Sequence, residues 1–185
     1  MTSSPPPVIG EPTESLVTVG VGDCKVGKSI RLVTYALGSC IAVAIVDPES
    51  DVGALLHLKL PDSTAHQQLA LSNQFYFANL GIPAMVKAAT ELGLQKKRAR
   101  VCLIGGAQMI DGLQIGKQNH LAAKKALWKE GMMVNKEVVG GDKSRSVWLS
   151  SRGSLTVRVS GGEEITLFGQ DSRDSKWNGL IGGVR

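Results

Sequence analysis

A cysteine and a histidine on two neighbouring predicted strands are the residues whose types and spacing could do chemistry. Cys40 follows Gly38 and Ser39 and opens the apolar segment IAVAIVD, while His57 lies in the segment VGALLHLKL. A thiol becomes an effective nucleophile when a base such as imidazole lies beside it. A turn through glycine frees backbone N–H groups that can stabilise an oxyanion, so Gly38 and Ser39 are candidates for shaping the site. This combination predicts hydrolysis through a covalent thiol intermediate.

The connection between the two strands suggests that these side chains can meet. The segment Asp47-Pro48-Glu49-Ser50 is a turn signal, so the strands on either side of it predict a β-hairpin. If the turn spans residues 47–50, residue 46 faces residue 51, and Cys40 faces His57. Directly opposed Cβ atoms lie about 4.5–5.5 Å apart and diagonal ones about 7–8 Å apart, so a small error in the turn leaves a diagonal contact. A buried structural thiol and a core histidine remain the alternative interpretation.

The remaining pattern divides the chain into three parts. Residues 1–15 are rich in Pro, Ser, Thr and Glu and predict a disordered arm. Residues 16–161 contain many short β-branched segments and predict one folded domain, and residues 162–185 predict a loosely packed tail.

Two helices are predicted within the domain. Apolar side chains recur at helical spacing over 75–92, with Pro83 at a start or kink, and a second helix is expected over 119–130 with Leu121, Leu127 and Trp128 facing inwards. Strands outnumber helices, which favours a single-domain α/β fold with a mixed or antiparallel sheet.

Composition excludes several classes of function. The longest apolar run, Ile41–Val46, is far shorter than the roughly 20 residues of a membrane-spanning helix, so no direct membrane insertion is expected. The N-terminus lacks the basic and apolar regions of a secretory signal. The basic run Lys96, Lys97, Arg98 and Arg100 has no interleaved aromatic residue, which argues against nucleic-acid binding despite a net charge of +5.

The cysteines predict a reducing compartment. The chain has an odd number of cysteines, and the three, Cys24, Cys40 and Cys102, are widely spaced. Its three histidines are also far apart in the sequence. This pattern indicates neither a disulfide framework nor a metal site, and it favours the cytoplasm. Cys24 and Cys102 are expected to be buried bystanders.

Six segments, taken in order, resemble the chemoreceptor glutamine deamidase family, CheD. The match extends from about Val17 to Val159, and its specific part is LGSCIAVAIVDP followed by GALLHLKLPDS. The others, which support it in the expected order, are VGVGDCKV, LIGGAQM, IGKQNHLAAKKAL and VVGGDKSRSVWL.

This resemblance implies a catalytic Cys40, a base His57 and a Thr34 that orients the histidine. It implies that glutamine side-chain amides of methyl-accepting chemotaxis receptors are hydrolysed to glutamate and ammonia, with no metal or organic cofactor. It also implies an αβ sandwich similar to the deamidase domain of the cytotoxic necrotizing factor toxins, cytoplasmic receptor helices as partners, and a CheC-type phosphatase as a further partner.

Some positions depart from the family pattern, and other functions remain open. Gln118 stands where an Arg is frequent, Val139 where an Asp is usual, and Leu58-Lys59 where Met or Phe is common. These departures affect expected substrate choice and partner contacts more than the chemistry. An adaptor that binds receptors or a CheC-type phosphatase is the first alternative, and a thiol hydrolase acting on another amide or ester is the second.

Overall fold

The computed structural model describes residues 14–108 and 114–169. Ten strands and three α-helices occur within these ranges: β1 Ser15–Thr18, β2 Asp23–Lys28, β3 Ile30–Leu37, β4 Ile41–Asp47, β5 Val52–Leu58, α1 Gln67–Ser72, α2 Ala78–Glu91, β6 Arg100–Gly105, α3 Ile115–Lys129, β7 Lys136–Val139, β8 Arg145–Ser150, β9 Leu155–Val159 and β10 Glu164–Phe168.

The strands form two five-stranded sheets. Sheet I has the order β1-β3-β8-β9-β10 and sheet II the order β2-β5-β4-β6-β7. Each sheet is mixed, because β1 runs parallel to β3 and β6 parallel to β7, whereas the other neighbours are antiparallel. The α/β class, the mixed sheets and the two main helices α2 and α3 are therefore confirmed.

Sheet II lies between two apolar cores. Along β4, Ile41, Val43 and Ile45 pack with α2 and α3 on one side. Ala42, Ala44 and Val46 pack towards sheet I on the other side. Because successive strand residues point to opposite faces, a strand covered on both faces must be apolar throughout. This layering explains the unbroken apolar run that the sequence shows at β4.

The hairpin register differs from the predicted one by two residues. Asp47 pairs with Val52, so His57 faces Ala42 rather than Cys40. Asp47 remains in the strand because its buried carboxylate accepts hydrogen bonds from Arg98 Nε at 2.7 Å and from the Gln95 N–H at 3.0 Å. The connection closes instead through a 3-10 turn, Pro48–Ser50. A shift of two keeps both side chains on one face and leaves Cys40 diagonal to His57.

Two further expectations need correction. Leu121 and Trp128 face solvent, with 56% and 70% of their surface exposed, and the inner face of α3 is built mainly from small residues. Small residues are required there because a side chain at Gly116 would collide with the backbone of Gly106. Residues 164–168, assigned from the sequence to the tail, form β10 and pair with β9.

No helix in the described ranges is long and apolar enough to cross a membrane. The predicted arm lies outside the described residues up to residue 13, and the predicted tail does so from residue 170 onwards.

Candidate active site

Thr34 and His57 meet in the interior between the two sheets. Thr34 projects from β3 of sheet I and His57 from β5 of sheet II, and both are almost completely buried. Thr34 Oγ1 lies 2.8 Å from His57 Nδ1 and 2.7 Å from the carbonyl oxygen of Val19. The contact therefore links the two sheets through a polar pair in their interior.

The hydrogen bonds of Thr34 assign the tautomer of His57. The threonine hydroxyl has one hydrogen, which it donates to the Val19 carbonyl, so it accepts from Nδ1–H of His57. Nε2 then carries the lone pair. Burial lowers the pKa of His57 from 6.5 to about 4. The histidine is consequently a neutral base near neutral pH, with Nε2 available to accept a proton.

Nε2 of His57 is buried and has no hydrogen-bond partner among residues 14–108 and 114–169. A buried acceptor without a partner is unusual in native proteins and is frequently associated with a functional site. Cys40, the nucleophile predicted from the sequence, lies diagonal to His57 across the hairpin.

The Cys40 thiol belongs to a short loop between β3 and β4 that is fixed by its backbone. The Gly106 N–H donates to the Cys40 carbonyl at 2.7 Å, and the Ala107 N–H donates to the Gly38 carbonyl at 2.8 Å. Gly105 and Gly106 have φ values of +111° and +63°, and a side chain at Gly105 would collide with the Cys40 carbonyl oxygen. Only glycine combines this conformation with so close an approach.

The thiol of Cys40 is half-buried and protonated in this state. Burial raises its pKa, while the positive charge of Lys59 and the backbone N–H of Cys40 itself act in the opposite direction. With His57 also neutral, neither group carries a charge near neutral pH in this state. The physical reason is that both groups lie in surroundings of low polarity, which disfavour their charged forms.

The other two cysteines lie on other strands of sheet II, and Cys24 packs on the face of the sheet that the helices cover. Cys24 is half-buried in β2, where burial raises its pKa to about 12, and Cys102 is fully buried in β6, where burial also raises its pKa. A high pKa leaves little thiolate, so neither side chain is a good nucleophile.

A cleft of about 690 Å³ adjoins the Cys40 loop. Gly106 lines this cleft and also binds the Cys40 carbonyl, so the two are neighbours. Its walls further include Gln114 and Lys117 from the start of α3 and the glycine pair 140–141. The described residues contain no cluster of three His, Cys, Asp or Glu side chains that could hold a metal ion.

One contact to this site was not anticipated from the sequence. Asn119 was noted only as part of a motif, yet its side chain reaches the backbone of the Cys40 loop. The sequence carries no local signal for this contact, because Asn119 and Ser39 are 80 positions apart.

Comparison of the sequence with known proteins identifies the family of this chain. A model of the family described as CheD chemotactic sensory transduction matches residues 59–162. A probable chemoreceptor glutamine deamidase CheD of Solibacter usitatus is 42% identical over 151 residues, which cover 78% of this chain and 89% of that protein. The chain belongs to the CheD family. The resemblance inferred from the six sequence segments is therefore confirmed.

Other CheD relatives match over a similar extent. A probable chemoreceptor glutamine deamidase CheD 1 of Syntrophus aciditrophicus is 43% identical over 152 residues, or 79% of this chain and 95% of that protein. The relative from Pyrococcus abyssi, a probable chemoreceptor glutamine deamidase CheD, is 36% identical over 157 residues, or 80% of this chain and 95% of that protein. The similarity thus extends across most of each CheD chain.

Proposed function

We propose that this protein is a protein-glutamine deamidase that hydrolyses glutamine side-chain amides of chemoreceptors to glutamate and ammonia. CheD relatives that match most of the chain are named for this activity. The observation that carries the proposal for this chain is the buried His57, whose Nδ1–H is held by Thr34 and whose Nε2 has no partner in the described structure. Such a histidine is ready to activate a thiol.

In the proposed reaction Cys40 is the nucleophile and His57 the general base. When the substrate carboxamide occupies the site, the Cys40 S–H proton passes to Nε2 of His57 as sulfur attacks the carboxamide carbon. The resulting oxyanion accepts hydrogen bonds from backbone N–H groups of the Gly38–Ser39–Cys40 loop. Proton transfer during attack fits the directions in which burial shifts the two pKa values, since both shifts favour the uncharged groups.

The second half of the reaction reverses the proton flow. The imidazolium of His57 gives its proton to the leaving nitrogen, the C–N bond breaks, and ammonia departs from the thioester. His57 then takes a proton from water, which attacks the thioester carbon. The C–S bond breaks, the proton returns to sulfur, and glutamate is released. Thr34 keeps Nδ1–H occupied throughout and so fixes which nitrogen exchanges protons.

The family resemblance also supports proposals about surroundings. We infer that the substrate is the cytoplasmic helical part of methyl-accepting chemotaxis receptors, that the protein works in the cytoplasm, and that a CheC-type phosphatase is a further partner. The sandwich of two sheets with the main helices on one side supports a likeness to the deamidase domain of the cytotoxic necrotizing factor toxins.

The deciding experiment incubates receptor cytoplasmic fragments with the protein and follows glutamine-to-glutamate conversion by mass spectrometry, with ammonia measured in parallel. Wild type should convert specific glutamines, and Cys40→Ala and Cys40→Ser should not, because a serine hydroxyl ionises far less readily than a thiol. Peptide cleavage without ammonia release would indicate a peptidase instead. Binding of the fragment with no conversion would indicate an adaptor.

A further inference from the structure

The side chain of Asn119 connects the two halves of the candidate active site. It projects from the inner face of α3 and is completely buried. Its Nδ2 group donates one hydrogen bond to the Ser39 carbonyl at 2.9 Å and another to the Lys59 carbonyl at 2.9 Å. Both hydrogens of the amide are therefore used on backbone groups of two different segments.

The two carbonyls occupy positions that matter for chemistry. Ser39 directly precedes Cys40, and Lys59 lies two residues after His57, just beyond the end of β5. In the described structure no hydrogen bond joins Cys40 to His57. The Asn119 amide instead holds the backbone next to the nucleophile at a fixed position relative to the backbone next to the base.

The remaining atom of the amide shows that packing alone does not explain this residue. Oδ1 of Asn119 is buried and lacks a hydrogen-bond partner in the described structure. A buried acceptor left unsatisfied costs about 1–3 kcal/mol, and an apolar side chain would avoid that cost. What an apolar side chain cannot do is donate to two carbonyls. A hydroxyl has only one hydrogen, and a carboxylate would repel both oxygens.

We propose that Asn119 is a positioning residue that sets the distance and orientation between the Cys40 thiol and His57. The proposal rests on the proposed deamidase function. Because Cys40 and His57 are diagonal rather than opposed, their approach depends on where the loop sits relative to the end of β5. Misplacement of reacting groups by about 1 Å can cost on the order of 10²-fold in rate, so a clamp at this point has a direct catalytic effect.

The catalytic test compares Asn119→Ala and Asn119→Asp with Ala123→Gly. The control changes a buried residue on the same helix and weakens α3 without touching either carbonyl. We expect kcat for a receptor fragment to fall about 10- to 100-fold in both Asn119 variants with KM within about threefold. In Ala123→Gly, assayed below its melting temperature, kcat should stay within about twofold of wild type. Equal losses of kcat in the Asn119 variants and the control would overturn the proposal.

A second readout needs no substrate. The backbone amides of Gly106 and Ala107 bind the carbonyls of Cys40 and Gly38, so they report whether the loop is held. In Asn119→Ala, hydrogen exchange at these two amides and iodoacetamide labelling of Cys40 should both accelerate, whereas Ala123→Gly should match wild type. Unchanged exchange and labelling in Asn119→Ala would exclude the clamp. Absence of deamidation by wild type would instead refute the proposed function and leave this readout to decide what holds the loop.

Discussion

At the scale of single residues, Thr34 determines what His57 can do. Its hydroxyl has one hydrogen and gives it to the Val19 carbonyl, which obliges it to accept from Nδ1–H of the histidine. A side chain without the hydroxyl would leave both Nδ1–H and the carbonyl unpaired in the interior. In the proposed mechanism, Thr34 thus excludes the other tautomer of His57 and fixes the ring.

We expect Thr34→Val to impair deamidation and Thr34→Ser to preserve most of it. Valine has nearly the shape of threonine but no hydroxyl, whereas serine keeps the hydroxyl. Thr34→Val should lower kcat between about tenfold and 10²-fold, because the base remains but is misoriented. His57→Asn should lose more, since general acid–base groups contribute about 10²–10⁴-fold. Ammonia release at saturating receptor fragment measures this. A loss in Thr34→Ser as large as in Thr34→Val would contradict the hydroxyl's role.

The residue types of the candidate site were easier to predict from the sequence than their arrangement. Cys40 after a glycine turn and His57 on the next strand could be selected by residue type and spacing. Thr34 entered only through the family resemblance, because its contact with His57 depends on how two sheets stack. The hairpin register was wrong by two residues because Asp47 binds Arg98 and Gln95, which are about 50 positions away in the chain.

At the scale of elements, the loop that carries Cys40 is shaped by the end of β6. Gly105 is the last residue of that strand, pairs with Ile41 and adopts φ +111°. The close approach of Gly105 to the Cys40 carbonyl leaves no space for a side chain. The strand end therefore determines where the Cys40 loop lies.

We expect Gly105→Ala to abolish activity, with Gly131→Ala as the matched control. Both glycines have positive φ, at +111° and +72°, so both substitutions carry a conformational strain of about 1–3 kcal/mol. A side chain at Gly131 meets nothing within 4 Å, whereas one at Gly105 collides with Cys40. Thermal unfolding should show destabilisation in both variants, and only Gly105→Ala should lose ammonia release while still folded. Retained activity in folded Gly105→Ala would mean that the loop tolerates displacement.

Elements with a strong pattern of apolar residues could be predicted from the sequence, whereas the short strand near the end of the described chain could not. The predicted helix over 75–92 corresponds to α2, Ala78–Glu91, and the apolar β4 was identified in full. By contrast, β10 has exposed residues at its start, and its buried Leu167 and Phe168 come only at its end. So short an apolar signal is not recognisable before its neighbouring strand is known. Trp128 likewise lies outside the buried face of α3, which consists of Gly116, Asn119, Ala123, Ala126 and Leu127.

At the scale of the whole molecule, the sandwich places a titratable base in a nearly dry interior. His57 is 2% exposed between the two sheets, and burial lowers its pKa from 6.5 to about 4. In the unfolded chain the imidazole regains its ordinary pKa, so between these two values the unfolded state binds more protons. Stability therefore rises with pH in this window. The contribution of His57 is complete above about pH 6.5 and is lost as the pH falls towards 4.

The buried carboxylate of Asp47 affects the stability of the fold in a lower pH range. Burial alone would raise the pKa of Asp47, but hydrogen bonds from Arg98, Gln95 and Ser50 hold it below its usual value of 3.8. The stability that Asp47 provides is present above its ordinary pKa and is lost below it. The two effects are thus separable by pH, with the histidine acting first during acidification.

We therefore expect the free energy of unfolding to fall more steeply in the wild type than in His57→Asn when the pH is lowered from 6.5 to 4. The difference should reach up to about 3 kcal/mol, since one pKa unit corresponds to about 1.4 kcal/mol. Asparagine keeps a polar side chain but cannot gain a proton, so its curve should be flatter in this window. Urea unfolding at several pH values measures the difference. The control is His66→Asn, which removes an exposed imidazole and should follow wild type. Parallel curves for wild type and His57→Asn would show that burial does not lower the pKa of His57 below that of the unfolded chain.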